Sequence, residues 1–501
     1  MRRTPEPSTA IRSQVRRALG WSALSTLALR IGTFSVGIVL ARLLTPEQFG
    51  VYAVALTVQA VLMTLADLGL SADLIRSRRP ERIAPTVASF ALVTGALMTA
   101  AMAGSGHALA SLLRSPEAGE VIVVLSFTLL LAGAGVVPYA MLQRRFEQKK
   151  LFAIAAIDFL VGTTTTLVLL ATGWGVMALA IGRLMGQGTT LVLQFVLSGE
   201  RPRFGFDRTV VRPVLLFSVP VAGANLLSWA LLNIDNIVIS RVAGPVALGF
   251  YFLAFNISSW PMSALGQIVR SVALPGFSRT TAVRGDTSLA NATAITWAIA
   301  LPAGAFLALL SGPLITFVYG DKWLAAAPAL AALGIFGALR AVFDLFASYL
   351  LARGASGAVL RIQALWFVAL VPATIFGTLW WGIAGAGLAH LAVGVVLVLP
   401  AYALGVRHVG ANLGAIVSCS WQPILAMAAA ALVYLGVSGQ FQAPLAALLA
   451  AALAYLALIF RWFAARVRRA ASGPTPDVGA AGSGGGTPGG STRHDDEERV
   501  P

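Results

Sequence analysis

The chain is short of the residues that most soluble enzymes work with. It has 20 acidic residues and 4 histidines in 501 positions, and only 11% of it is charged, against roughly 25% in soluble domains. A single cysteine, Cys419, excludes an internal disulfide and a cysteine metal cluster. It reads as a small packing residue. No Gly-x-x-x-x-Gly-Lys-Ser/Thr sequence occurs, so a built-in ATPase loop is excluded. The alternation of polar and apolar residues that marks a membrane β-barrel is missing too.

What fills the chain instead is apolar. Hydrophobic residues make up 57% and mean hydropathy is +0.81. Runs of about 20 apolar residues, enough to cross a bilayer core, follow one another from Trp21 to Phe463. Fourteen spans are expected near 18–41, 49–74, 83–104, 120–142, 151–171, 174–198, 213–240, 246–269, 289–311, 324–351, 359–380, 383–405, 413–436 and 441–463. The fold class is therefore an all-α polytopic membrane protein.

The net charge of +16 could suggest a nucleic-acid partner, but its distribution points to a membrane. Every second loop is basic. Of 36 Lys and Arg, 29 fall on one side, and only Arg42, Arg114, Arg241 and Lys322 fall on the other. Cytoplasmic loops carry such an excess, so the protein is expected in the cytoplasmic (inner) membrane with both termini on the cytoplasmic side. The even number of spans agrees. The start Met1-Arg2-Arg3, followed by Pro5, Glu6 and Pro7, shows no cleavable signal.

A repeat organises these spans. Arg42-Leu-Leu-Thr-Pro46-Glu-Gln-Phe-Gly50-Val-Tyr52 returns 199 positions later as Arg241-Val-Ala-Gly-Pro245-Val-Ala-Leu-Gly249-Phe-Tyr251. Both copies form a short turn between two spans. The expected organisation is a basic N-terminus (1–17), a first lobe (18–198) and a basic linker (199–212). A second lobe running in the same direction (213–405), a trailing span pair (413–463) and a disordered tail (471–501) follow. The trailing pair is rich in Ala and Leu and reads as peripheral helices.

On these residues a family resemblance can be stated. Leu40 to Tyr52, continued by Leu65-Ala-Asp-Leu-Gly-Leu-Ser71, resembles the start of the polysaccharide-transporter family of the multidrug/oligosaccharidyl-lipid/polysaccharide flippase superfamily. Asn233-Ile-Asp-Asn-Ile-Val-Ile-Ser-Arg241 and Gly249-Phe-Tyr-Phe-Leu-Ala254 resemble it again. That family has two six-span lobes and a trailing pair. The resemblance implies a flippase moving an undecaprenyl-linked oligosaccharide precursor to the outer leaflet, without a cofactor. A glycan polymerase or glycosyltransferases would be its candidate partners.

Candidate site residues come from charge inside spans, where each ionisable group costs roughly 2.5–3.5 kcal/mol and so faces a cavity or a partner. Arg30, Arg183 and Arg340 sit near the middle of spans 1, 6 and 10, and guanidinium groups suit a pyrophosphate. Their structural readings are a neutralising Arg340–Asp344 pair and, for Arg183, close packing between Gly182 and Gly186. Asp67, Asp158, Asp235 and Asp344 are candidates either for ion coupling or for charge pairing. Asn225, Asn233 and Asn236 form a polar stripe that lines a cavity or joins helices. His390 reads as a packed residue, and Pro220, Pro261, Pro302, Pro372 and Pro400 as places where helices kink. No metal-ligand cluster is expected. Three rival functions stay open: a multidrug cation antiporter, a lipid II flippase and a membrane glycosyltransferase or polymerase.

Overall fold

The computed structural model describes residues 29–67, 70–77, 79–201, 203–279, 288–441 and 444–471. The basic N-terminus, the tail beyond Ala471 and the side chain of Asp67 lie outside the described residues and side chains. Everything described is helix or short connection, with no strand among the described residues.

The chain runs through α1 (29–43), α2 (Pro46–Asp67), α3 (Leu70–Arg76), α4 (Pro80–Leu112), α5 (Ala118–Arg144), α6 (Gln148–Ala171) and α7 (Met177–Ser198). It continues with α8 (Arg208–Arg279), α9 (Ser288–Leu309), α10 (Ser311–Val318), a 3₁₀ turn (Asp321–Ala326), α11 (Ala327–Ala352) and α12 (Ser356–Val393). A π-helical turn (Gly394–Val398), α13 (Leu399–His408), α14 (Leu413–Phe441) and α15 (Pro444–Ala471) complete it. The described part of each expected span falls on helix, the span at 49–74 being divided between α2 and α3. Nine helices among the described residues are long and apolar enough to cross a membrane. Large apolar side chains such as Leu160, Val196, Val368 and Leu432 stay exposed on their outer faces, as lipid-facing positions require.

Two helices hold two spans each. The backbone of α8 leaves helical geometry at Gly244 (φ 86°), and α12 does so at Trp381 and Gly382 (φ 58°). Glycine takes these positive φ values without a Cβ clash. The prolines expected to kink helices behave differently: Pro302 and Pro372 lie inside continuous helix. Proline removes one hydrogen bond but keeps a helical φ, so it bends a helix without reversing it.

Packing separates the chain into two sets. Helices α2, α4, α5, α6 and α7 contact one another, as do α8, α9, α11 and α12, and the broadest contact between the sets joins α2 to α8. The trailing α14 and α15 pack on α9 through Tyr434, Tyr455 and neighbouring apolar residues. The Tyr455 hydroxyl donates to the Ala298 carbonyl at 2.8 Å.

The eleven-residue echo lies in the seam between the sets. A Cβ on Gly50 would collide with the Pro245 carbonyl oxygen, and one on Gly249 with the Pro46 carbonyl oxygen. The two copies thus pack reciprocally, each glycine seated on the other copy's proline, as a two-fold relation requires. Small residues let helix backbones approach this closely where lipid supplies no hydrophobic drive.

Candidate functional site

A cavity of about 670 Å³ opens among α1, α2, α6 and α7, with Asn256 of α8 contributed from the second set. Its polar lining is Thr33, Tyr52, Asp158, Thr163, Thr166, Arg183 and Asn256. The pairing of α6 and α7 builds it. A Cβ at Gly182 would meet Thr166 Oγ1 and the Gly162 carbonyl, and one at Gly186 would meet Asp158 Oδ1 at 2.6 Å. These glycines let the two backbones close until Asp158 and Arg183 share one groove. Arg183 is exposed within it and makes no ion pair or hydrogen bond with a described residue.

The three intramembrane arginines do not converge. Arg183 lines the cavity. Arg30 is half-buried beside it, between the lining residues Leu29 and Thr33, and its carbonyl accepts hydrogen bonds from Thr33 Oγ1 (3.0 Å) and Trp260 Nε1 (3.4 Å). Trp260 also stacks on Phe34 at 5.0 Å, which ties α1 to α8. Arg340 lies on α11 in the second set, four residues from Asp344, with both side chains half-buried. The asparagines divide as well. Asn225 is exposed, Asn233 bonds back to the Trp229 carbonyl at 3.0 Å, and Asn236 is buried.

The end of the bundle that is poor in basic residues is latched shut. Arg42 donates to the carbonyls of Val318 (Nε, 2.8 Å) and Phe317 (Nη2, 2.6 Å). In return Lys322 Nζ donates to the carbonyls of Arg42 (2.9 Å) and Leu44 (2.8 Å). Trp323 Nε1 donates to the Ala41 carbonyl at 2.8 Å, with its ring fully buried. Partial desolvation, and then the Arg42 charge, lower the Lys322 pKa. Ser240 Oγ adds a bond to the Leu113 carbonyl at 2.6 Å.

A second polar cluster is sealed in the other set. Asp235 of α8 is 1% exposed and His390 of α12 2% exposed. The Tyr251 hydroxyl donates to Asp235 Oδ2 at 2.6 Å, and His390 Nε2 lies 3.3 Å from the same oxygen. Asp235 Oδ1 accepts the Asn236 backbone N–H at 2.9 Å.

Residue-by-residue reading took His390 for a packed residue, and buried it is, but the sequence also carries a signal that sets it beside Arg183. Trp174-Gly-Val-Met-Ala-Leu-Ala-Ile-Gly-Arg183-Leu184 is matched by Trp381-Gly-Ile-Ala-Gly-Ala-Gly-Leu-Ala-His390-Leu391, 207 positions on. The glycines after the tryptophans both take a positive φ, 54° at Gly175 and 58° at Gly382. This echo aligns His390 with Arg183 in sequence, and the first echo aligns Tyr251 with Tyr52.

Comparison with known proteins agrees with this architecture. The chain is similar to the lipopolysaccharide biosynthesis protein WzxC of Escherichia coli K12, at 25% identity over 83% of this chain and 85% of that one. It is 29% identical to the succinoglycan biosynthesis transport protein ExoT of Rhizobium meliloti over 70% and 72% of the two chains. Identity to the teichuronic acid biosynthesis protein TuaB of Bacillus subtilis is 27%, over 86% and 90%. Among solved structures, the lipid II flippase MurJ in an inward closed conformation shares the fold (TM-score 0.74, 16% identity, 89% of this chain and 99% of that one). An inward-facing multidrug resistance transporter of the MOP superfamily shares it too (TM-score 0.62, 17% identity, 77% and 98%). Residues 39–328 match the model of the polysaccharide biosynthesis protein family, and the chain belongs to that family.

Proposed function

We propose that this protein is a flippase that carries a lipid-linked, anionic oligosaccharide precursor from the inner to the outer leaflet. The observation that carries the reading is Arg183, a cation without an ionic partner among the described residues, in a cavity of about 670 Å³ that reaches from the first lobe to Asn256 of the second. A guanidinium there is costly in the bilayer unless an anion completes it, and a pyrophosphate linker is such an anion. Thr33, Thr163, Thr166 and Asn256 offer hydrogen bonds to the first sugars, and the volume suits a headgroup within the usual range of ligand pockets, about 300–1,000 Å³.

In this reading 18–198 and 213–405 are the two lobes, 199–212 links them, and the protein sits in the cytoplasmic membrane with both termini inside. The latched end, carrying Arg42, Arg241 and Lys322, is then the outer one, and the structure represents a state closed to the outside. Transport proceeds by alternating access, drawing on an ion gradient or the membrane potential. Arg30 serves the cavity mouth, and Arg340 with Asp344 acts away from it as an internal pair. A polymerase or glycosyltransferases would act on the same glycan at either face.

Asp158 in the cavity favours one second reading, export of a cationic drug, because a carboxylate is the natural partner of such a substrate. The two are separated in a deletion strain complemented with variants. Arg183→Ala should abolish surface glycan, and Arg183→Lys should restore only part of it. Unimpaired glycan with altered sensitivity to cationic drugs would instead establish the second reading.

A further inference from the structure

The buried Asp235–Tyr251–His390 cluster is left without a role by the substrate cavity, and its construction points to one. Both carboxylate oxygens of Asp235 are engaged, Oδ2 by Tyr251 and His390 and Oδ1 by the Asn236 backbone. With Nε2–H directed at Asp235, the remaining imidazole nitrogen is an open lone pair. That atom, His390 Nδ1, is buried and has no hydrogen-bond partner among the described residues. A basic nitrogen sealed among apolar side chains and coupled to a carboxylate has room for one ligand that needs no space, a proton.

We propose that His390, held by Asp235 and Tyr251, is the proton-binding site that couples transport to a proton gradient. The inference rests on the reading of the chain as a transporter and is independent of its cargo. One proton enters from the outer side and binds Nδ1, so that a neutral imidazole beside the Asp235 carboxylate becomes an imidazolium–carboxylate pair. The same proton leaves toward the cytoplasm later in the cycle. No other bond changes.

Three observations support this assignment. Position is the first: His390 matches Arg183 in the 207-residue echo, as Tyr251 matches Tyr52 in the 199-residue echo. One lobe therefore carries a permanent cation in an open cavity, and the other a cation that exists only when protonated. The second is mechanical. The helical segment bearing His390 is interrupted before it at Trp381–Gly382 and after it by the π-helical turn Gly394–Val398. A segment bounded in this way can rotate or shift without unravelling its neighbours, and π turns recur at functional sites.

The third is the charge around the imidazole. From α8 it meets Asp235, whose Oδ2 also accepts the Tyr251 hydroxyl. From α11 the Phe336 ring lies 4.9 Å from it between centroids. Arg340 and Asp344 continue that stripe of α11 one and two turns on. Asp235 is the ionisable group in contact with the ring, and Arg340 and Asp344 are the charged groups of that α11 stripe.

The test uses the full-length protein in nanodiscs of phosphatidylethanolamine and phosphatidylglycerol, labelled with ¹³C,¹⁵N-histidine. The His390 signal is identified by its loss in His390→Gln. We expect that signal to report reversible protonation of the wild-type ring, and Asp235→Asn to change the response. A signal that does not titrate, or a midpoint indifferent to Asp235→Asn, would overturn the proposal. In cells, His390→Gln should remove the dependence of export on external pH while the protein stays at wild-type level in the membrane. Export by that variant with an unchanged pH dependence, or export that follows Na⁺ and ignores pH, would also overturn it. Tyr251→Phe keeps the ring in place and should shift the titration without unfolding the lobe. Because the titration needs no substrate, it can fail while the Arg183 assays succeed, and the reverse.

Discussion

At the scale of single residues, the account turns on a contrast between two equivalent positions. Arg183 and His390 follow matching Trp-Gly turns, and one faces an open cavity while the other faces a buried carboxylate. Replacing Arg183 with Ala should lower glycan export roughly tenfold or more, the range expected for a lost charge-assisted contact of about 1.5–3 kcal/mol. Asp158→Asn should be tolerated better, because the proposed cargo is anionic. A complementation assay read as surface glycan per transporter molecule checks both. Gly249→Ala drives a methyl into the Pro46 carbonyl, and overpacking of this kind costs about 1–3 kcal/mol. A lowered melting temperature of the purified protein, with export reduced alongside it, is the expected outcome.

How far the residues could be read in advance depended on what each prediction needed. Arg183 was legible, because an ionisable side chain in an apolar span announces itself whatever its surroundings. Its company with Asp158 was not. These helices are apolar on nearly every side, so a residue's place along a span says nothing about the direction it faces. The alignment of His390 with Arg183 was hidden by spacing. Its echo runs at 207 positions while the first runs at 199, so a search at one offset finds Tyr52 and Tyr251 but not Arg183 and His390. Asp235 was legible as an intramembrane acid, and its partners were set by tertiary packing alone.

Among elements, the connections matter more than the spans. The spans followed from hydropathy, and the described part of each lies on helix or a short helical turn. The breaks at Gly244 and Gly382 could not be told from other glycines, because positive φ is permitted at each of them and chosen by packing. Closure at the charge-poor end depends on Arg42, Lys322 and Trp323 holding backbone carbonyls across the seam. Trp323→Phe removes one buried hydrogen bond worth about 1 kcal/mol, and Lys322→Met removes two more. The pair should raise modification of a Thr33→Cys probe by a membrane-impermeant maleimide added from outside. Unchanged labelling would assign closure to the Gly50–Gly249 seam instead.

The linker shows the opposite polarity. Asp207 accepts hydrogen bonds from the backbone N–H (2.9 Å) and hydroxyl (2.6 Å) of Thr209, and Arg82 lies 3.6 Å away. The Thr209 bonds first, and then the Arg82 charge, hold its carboxyl below the usual range. A depressed carboxylate supports the docked linker above the ordinary value near 3.9 and loses that support as pH falls through the lower folded one. Protease cleavage within 199–212 should accordingly be constant from neutral pH down to about 5 and rise only in stronger acid. Aspecific pepsin-type digestion at low pH, compared with Asp207→Asn at neutral pH, checks the sign.

At the scale of the whole molecule, two sets of helices meet along one seam, with the Arg183 cavity in the first and the buried Asp235–His390 cluster in the second. On the proposed reading the first serves the cargo and the second the coupling proton, and the reciprocal glycine contacts join the two sets. The central claim is that the protein moves a lipid-linked glycan, and one measurement addresses it most directly: a clean deletion strain, analysed for surface polysaccharide and for its lipid-linked precursor. The account predicts that surface polysaccharide disappears while precursor accumulates on the cytoplasmic leaflet, and that wild-type protein restores both where Arg183→Ala restores neither. Normal surface polysaccharide in the deletion strain, with no accumulated precursor, would contradict it.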